Sequence, residues 1–503
     1  MAAGKSSAWW GGKAAVSAVF CLVGVMAGTG LYFADVAYVG PLSNTTCAES
    51  GPTLVLPAGG DCVGVTDGSY AFAPSLEKAE SMIEAENRWV RNSGRFWVSV
   101  AYVMPISAAG SAESVKAAAE QLEGAYTAQY YANRHNVQGT VPMIQLLVAS
   151  SGTQAAEYST TDMIIKGDVV TQHLVAVAGI GTSLDTTLAE VRDLTASGIP
   201  VIGSTITSDA FDRIPDLVRV APSGTQEVSG VLAYIKRTAI TAFLITDANP
   251  ADSYDDTLAA GFERDFPDKS HSIIATESYS TAGDVNGSGA VAEQVANRIG
   301  QMPTDICVTH PNVVLFAGRA QELAALISDL DTRPCLSSPV TILTGDDAAD
   351  ILVTPLVRSA LNSGVTLDYA DEANPSEWDL PETGSKYKGI SPTVIQQGRQ
   401  GFLLFRAAFS SYFPLASAND GNAMMGYDAT LTGITSIRLA GVDATTANVA
   451  QDFSAIQGRR AVPGASGPIM FSPSAQGSNP VGKVIPVLQL SSSGVPRLLT
   501  LES

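Results

Sequence analysis

The chain has 503 residues, room for two or three domain-sized units. Hydrophobic residues make up 46% and charged residues only 16%, so real cores can form and global disorder is excluded. The formal net charge of −20 excludes nucleic acid and anionic lipid as main partners, because phosphate binding needs clustered lysine and arginine.

Residues 14–34 carry no charged side chain and have the length of a bilayer-spanning helix. Lys5 and Lys13 precede the run and Asp35 follows it, which predicts a cytoplasmic N-terminus (1–13) and export of residues 35–503. The run is long for a signal-peptide core and no small-x-small cleavage site follows it. It is therefore read as an uncleaved single-pass anchor in the plasma membrane. Cys21 lies inside the run. The other four cysteines allow three pairings, and proximity selects Cys47–Cys62 and Cys307–Cys335 as disulfides. A zinc site is the rival reading, but no Cys-x-x-Cys and no suitably spaced histidine supports it.

Residues 35–72 read as an irregular neck, followed by a helix from Ser75 to the stop at Gly94. Strands are predicted over 95–105, 141–150 and 173–179, with a long helix over 112–135. The helix at 185–197 places Leu188, Val191 and Leu194 on one face and stops at Gly198. Strands at 199–204, 239–247, 271–279, 312–318 and 340–345 then alternate with helices at 226–238, 255–266, 289–300 and 320–330. Such alternation means βαβ units and parallel sheets. It runs too long for one open sheet, so two packed α/β lobes are predicted, with ligand sites outside the C-terminal strand ends.

Two of those strand ends carry Gly-Ile-Gly-Thr-Ser (179–183) and Ser-Thr-Ile-Thr-Ser (204–208), loops suited to holding a ligand. Catalytic signatures are missing: the sequence has no Gly-x-Ser-x-Gly, no His-Glu-x-x-His and no Walker loop. Leu184 stands where a dinucleotide fingerprint needs its third glycine. His135, His173, His271 and His310 sit at element ends without sequence partners and read as structural. No catalytic residue, cofactor or metal is predicted. Asp247, Asp346 and Asp347 lie at strand ends; without a nucleophile they suit a ligand ammonium better than acid–base work.

Residues 174–211, 219–266 and the late segment GNAMMGYDATLTGITSIRLA (421–440) carry a resemblance. From about residue 95 to 499 the chain resembles the type I periplasmic binding proteins, in particular the branched-chain amino-acid-binding branch of ABC-transporter substrate-binding proteins. The neck segment DCVGVTDGSYAF looks like that of membrane-anchored actinobacterial members. The resemblance implies two Rossmann-like lobes joined by three crossovers, lobe 1 at 95–221 plus 366–460 and lobe 2 at 222–365 plus 461–503. It implies ligand contacts from Thr182 and Ser183 at a helix N-terminus, from Thr205 and Thr207 in the next loop, and from Tyr254 in lobe 2. Asp346 or Asp347 would hold a ligand ammonium. Arg319 replaces the family's second aromatic and departs from an aliphatic amino-acid site, since guanidinium prefers carboxylate or phosphate. The implied function is capture of a small polar ligand, amino-acid or amide-like, for an ABC permease, without enzymatic activity. The alternative is a membrane-tethered sensing or scaffold ectodomain acting with a signalling membrane protein.

Overall fold

The apolar runs between residues 97 and 370 fold as strands covered on both faces, which is why most read as continuous rather than alternating. The computed structural model describes residues 53–55 and 62–502, apart from 107–109, 284–289, 380–384, 388 and 473–478. The expected anchor at 14–34 and Cys47 lie outside the described residues. Among those described, no helix is long and apolar enough to cross a membrane.

The first sheet holds β1 (Thr53–Val55), β2 (Val63–Thr66), β3 (Trp97–Met104), β4 (Met143–Ser150), β5 (Leu174–Gly179), β6 (Val201–Gly203) and β7 (Leu217–Arg219). Their order is β1-β2-β4-β3-β5-β6-β7; the β1–β2 and β2–β4 pairs are antiparallel and the other pairs parallel. Helices α1 (Glu77–Asn92), α2 (Ala112–His135), α3 (Tyr158–Thr171) and α4 (Asp185–Ala196) flank it. Residues 62–94, expected as a separate neck and helix, are part of this lobe: β2 pairs with β4, and α1 packs on α2 and β4.

The chain crosses at residues 220–223 into α5 (Gly224–Ile235), capped by Ser223 with Gln226 reciprocating. The second sheet takes β8 (Thr241–Asp247), β9 (Ser272–Tyr279), β10 (Val313–Ala317), β11 (Val340–Thr344) and β12 (Val365–Ala370). Between them lie α6 (Ser253–Asp265), α7 (Ala290–Ile299), α8 (Met302–Thr309), α9 (Ala320–Leu330) and α10 (Pro355–Asn362). The chain then returns to lobe 1 with α11 (Pro392–Phe409), α12 (Asn422–Ala440), α13 (Thr446–Asp452) and a small hairpin, β13 (Val462–Gly464) and β14 (Gly467–Ile469). A last crossing delivers β15 (Ile485–Leu490) and β16 (Pro496–Glu502), giving the order β16-β15-β12-β11-β10-β8-β9.

Two expected lobe boundaries move. Residues 366–370 belong to lobe 2, because β12 pairs in parallel with β11. Residues 461–469 belong to lobe 1, because β13 and β14 pack on α11 and α12. Helices α3, α8 and α10–α13 and strands β7 and β12–β16 had no expectation, and β1 and β2 fall in the stretch expected to be irregular.

The longest helices, α2 and α12, cross at two glycines. A Cβ on Gly124 would lie 1.9 Å from the Ala423 carbonyl oxygen, and one on Gly426 would lie 2.0 Å from that of Gln121. Only glycine permits this approach. Cys307 and Cys335 form the expected disulfide, with Cα atoms 5.6 Å apart. Cys62 is also disulfide-bonded.

Candidate functional site

The C-terminal ends of the parallel strands in both sheets meet where the chain crosses between lobes. On the lobe 1 side, β5 ends at Gly179 in the left-handed region (φ 91°), where a Cβ would sit 2.5 Å from the Val103 carbonyl oxygen. Ile180 and Thr182 also have positive φ, so the loop turns sharply and leaves Thr182 exposed and Ser183 buried.

Ser183 does not cap α4. Thr187 Oγ1 accepts the Leu184 N–H there, at 2.9 Å. Ser183 Oγ instead accepts the N–H groups of Thr207 and Ser208, each at 3.1 Å. Its carbonyl oxygen accepts three donors from lobe 2: Ser253 Oγ at 3.1 Å, the Tyr254 N–H at 3.3 Å and Arg319 Nη2 at 3.2 Å. The Asp185 N–H donates to the Ala251 carbonyl at 3.0 Å, and Ser208 Oγ to that of Ser253 at 2.8 Å. The lobes are in direct polar contact along this seam.

Arg319 is fixed by a two-pronged pair with Asp252, at 2.8 Å for each prong, and by Asp347 Oδ1 at 3.2 Å. Its guanidinium lies 4.5 Å from the Tyr254 ring centroid. Tyr254 is buried, and its hydroxyl accepts the Asp347 N–H at 3.2 Å. Asp347 Oδ2 accepts the Ala320 N–H at 2.5 Å. Of the two candidate aspartates, Asp347 is therefore spent on structure. Asp346 is not: its Oδ1 is buried without a hydrogen-bond partner.

A second wall comes from α2 and α12. The Gln121 side-chain carbonyl accepts Tyr102 Oη at 3.1 Å and Ser204 Oγ at 2.9 Å, and its amide donates to Asn422 Oδ1 at 3.2 Å and Thr205 Oγ1 at 3.5 Å. Asn422 Nδ2 reaches across to Asp350 Oδ1 at 2.8 Å. Lys116 pairs with Glu120 and Asp420 at the start of α2. Burial and then Asp420 push the Glu120 carboxyl up to about 9, against the pull of Lys116.

A third group is acidic. Glu227 in the first turn of α5, Asp346 after β11, and Asp371 and Glu372 after β12 are all raised in pKa, first by burial and then by other carboxylates; for Asp346 a contact with Glu227 and the charge of Arg319 work the other way. Asp350, beside Asn422, is raised by burial and Asp420. Among the described residues, no set of three or more His, Cys, Asp or Glu is placed to hold a metal ion.

Of the sequence-predicted residues, Ser183, Thr207, Tyr254 and Arg319 converge on one seam. Thr205 stands on the Gln121 wall, Asp346 belongs to the acidic group, and Thr182 makes no part of either. Gln121, Asn422, Glu227, Asp371 and Glu372 carried no expectation. Asp371-Glu372 did have a signal, an acidic pair closing a strand, but no strand had been assigned there.

No family model matches the sequence, and no curated protein does. Solved structures do match in fold. An ABC transporter substrate-binding protein from Desulfitobacterium hafniense, in complex with Leu, superposes with a TM-score of 0.56 at 16% identity, covering 80% of this chain and 100% of that one. The branched-chain amino acid transporter substrate-binding protein LivJ from Streptococcus pneumoniae, in complex with isoleucine, gives 0.55 at 15% identity, covering 80% and 99%. A solute-binding protein of an ABC transporter from Rhodopseudomonas palustris, in complex with 3,4-dihydroxybenzoic acid, gives 0.56 at 14% identity, covering 81% and 97%. These neighbours are solute-binding proteins, not enzymes. Some 80% of the chain therefore has the two-lobed fold of ABC-transporter substrate-binding proteins.

Proposed function

We propose that this chain is an extracytoplasmic solute-binding protein that closes two lobes on a small polar ligand and presents it to an ABC permease. The observation that carries the reading is the seam itself. Polar side chains from the C-terminal strand ends of both sheets meet there, at the place where open α/β sheets take ligands. Residues 14–34 would tether the protein to the plasma membrane, with the lobes outside.

A second reading, a tethered sensing or scaffold ectodomain, is favoured by one feature: Arg319 and Ser183 join the lobes with the protein's own groups. A thermal-shift screen of the full chain in detergent separates the two. Amino acids, amides, amines, sugars and nucleosides form the panel. A true ligand at one hundred times its dissociation constant stabilises by about 2.7 kcal/mol, an easily read shift. A panel without any shift would overturn the solute-binding reading and leave the scaffold.

A further inference from the structure

Four carboxyl side chains converge where the chain passes between lobes. Glu227 stands in the first turn of α5, directly after the first crossing. Asp346 follows β11, and Asp371 and Glu372 follow β12, its parallel neighbour in the sheet, so the three leave the same sheet edge side by side. Glu227 is 0% exposed, Asp371 2% and Glu372 6%. Both Glu227 oxygens, Asp346 Oδ1, Asp371 Oδ2 and Glu372 Oε1 are buried and receive no N–H or hydroxyl donor; Glu227 and Asp346 reach each other, carboxyl to carboxyl.

Buried polar groups are ordinarily paired, and a buried carboxylate especially so. The nearby cations direct their hydrogen bonds elsewhere, although the charges of Lys483 and Arg219 still act on Glu372, and that of Arg219 on Glu227. Lys483 donates to Ser466 Oγ beside Asp428. Arg219 spends its guanidinium on Asn479, Asp212 and the carbonyls of Ile206 and Ser208. Arg319 is taken by Asp252 and Asp347. On the other side, the Thr207 and Ser208 N–H groups, natural donors to a ligand carboxylate, are occupied by Ser183 Oγ. Two of that loop's N–H donors are thus taken, while the base of the cleft has spare acceptors.

We propose that the cleft takes a linear amine cation with two or more ammonium groups, a diamine or polyamine, one end of which is held among Glu227, Asp346, Asp371 and Glu372. More than one positive charge on the amine matches the crowding of four acidic side chains, each raised in pKa by burial, at one end of the second sheet. Opening of the lobes admits the amine, since the cluster is closed on itself in this conformation. An ammonium brings three N–H donors, so the end held in the cluster serves three of the five unpartnered oxygens.

This inference rests on the solute-binding reading, and the test separates their failures. The full chain in detergent is titrated by calorimetry with 1,4-diaminobutane, spermidine, n-butylamine and leucine. Binding of the diamine or spermidine, with n-butylamine weaker by tenfold or more, is the expected result. Glu227→Gln should weaken diamine binding about ten- to a hundredfold, the scale of a lost charge-assisted hydrogen bond. Its melting temperature without amine should be equal or higher, which mere misfolding would not give. Should Glu227→Gln fail to fold, Glu372→Gln carries the same expectation. Tight leucine binding with no response to diamines overturns the amine inference and leaves the solute-binding reading standing. Failure of these four probes and of the whole panel above overturns both.

Discussion

Ser183 shows how a residue can be legible in type and illegible in role. Its place in a Gly-Thr-Ser loop at a helix start marks it as a candidate donor to a ligand. The structure instead makes it a double acceptor, Oγ toward its own lobe and the carbonyl toward the other. Arg319 is the matching piece from lobe 2, and its fork geometry allows Asp252, Asp347 and Ser183 to be served together. Arg319→Lys keeps the charge and loses the fork. It should cost about 1–3 kcal/mol of stability, because buried Asp252 loses a paired donor. It should also enlarge the radius of gyration measured by small-angle scattering, and an unchanged profile would remove Arg319 from any role in holding the lobes. Residues such as Gln121 and Asn422 escape a reading of the sequence for a simpler reason: they bond each other across 301 positions, and no local pattern encodes that.

At the level of elements, the alternation of strand and helix was readable from 95 to 345, since buried parallel strands and amphipathic helices each leave a local pattern. The lobe assignment of β12 and of the β13–β14 hairpin was not, because it depends on which partner each strand finds. Helix α3 escaped because its threonines, glycine and scattered apolar residues leave no clear stripe. Helix α2 was readable as a helix and α12 carried no such expectation; their closeness rests on Gly124 and Gly426. Gly426→Ala would drive a methyl group into the Gln121 backbone, which cannot swing aside as a side chain could. We expect a loss of about 1–3 kcal/mol or more in urea denaturation, typical of overpacking. The same displacement would carry Gln121 and Asn422 off their bonds, so ligand affinity should fall together with stability.

For the whole molecule, buried carboxyls shape the response to pH. Burial pushes Glu80 and Glu190 up to about 8, and burial together with Glu190 pushes Asp162 up to about 9. In the unfolded chain such groups release their protons near pH 4. Between those limits the folded state holds more protons than the unfolded state, so stability falls as pH rises through the interval. Urea denaturation should therefore give greater stability at pH 5.5 than at pH 8.5. Glu190→Gln should flatten that slope, and a slope left unchanged would mean that Glu190 titrates normally.

The seam has a further consequence, one of timing. The Ser183 carbonyl receives three donors from the opposite lobe, and Asp185 and Ser208 add two more bonds between the lobes. On the solute-binding reading, these bonds must break before the lobes can part and admit a solute. Loading is then a gated process: at high solute concentration its rate levels off at the rate of lobe opening, however fast the encounters become. On that reading the same gate would set how long a captured solute stays.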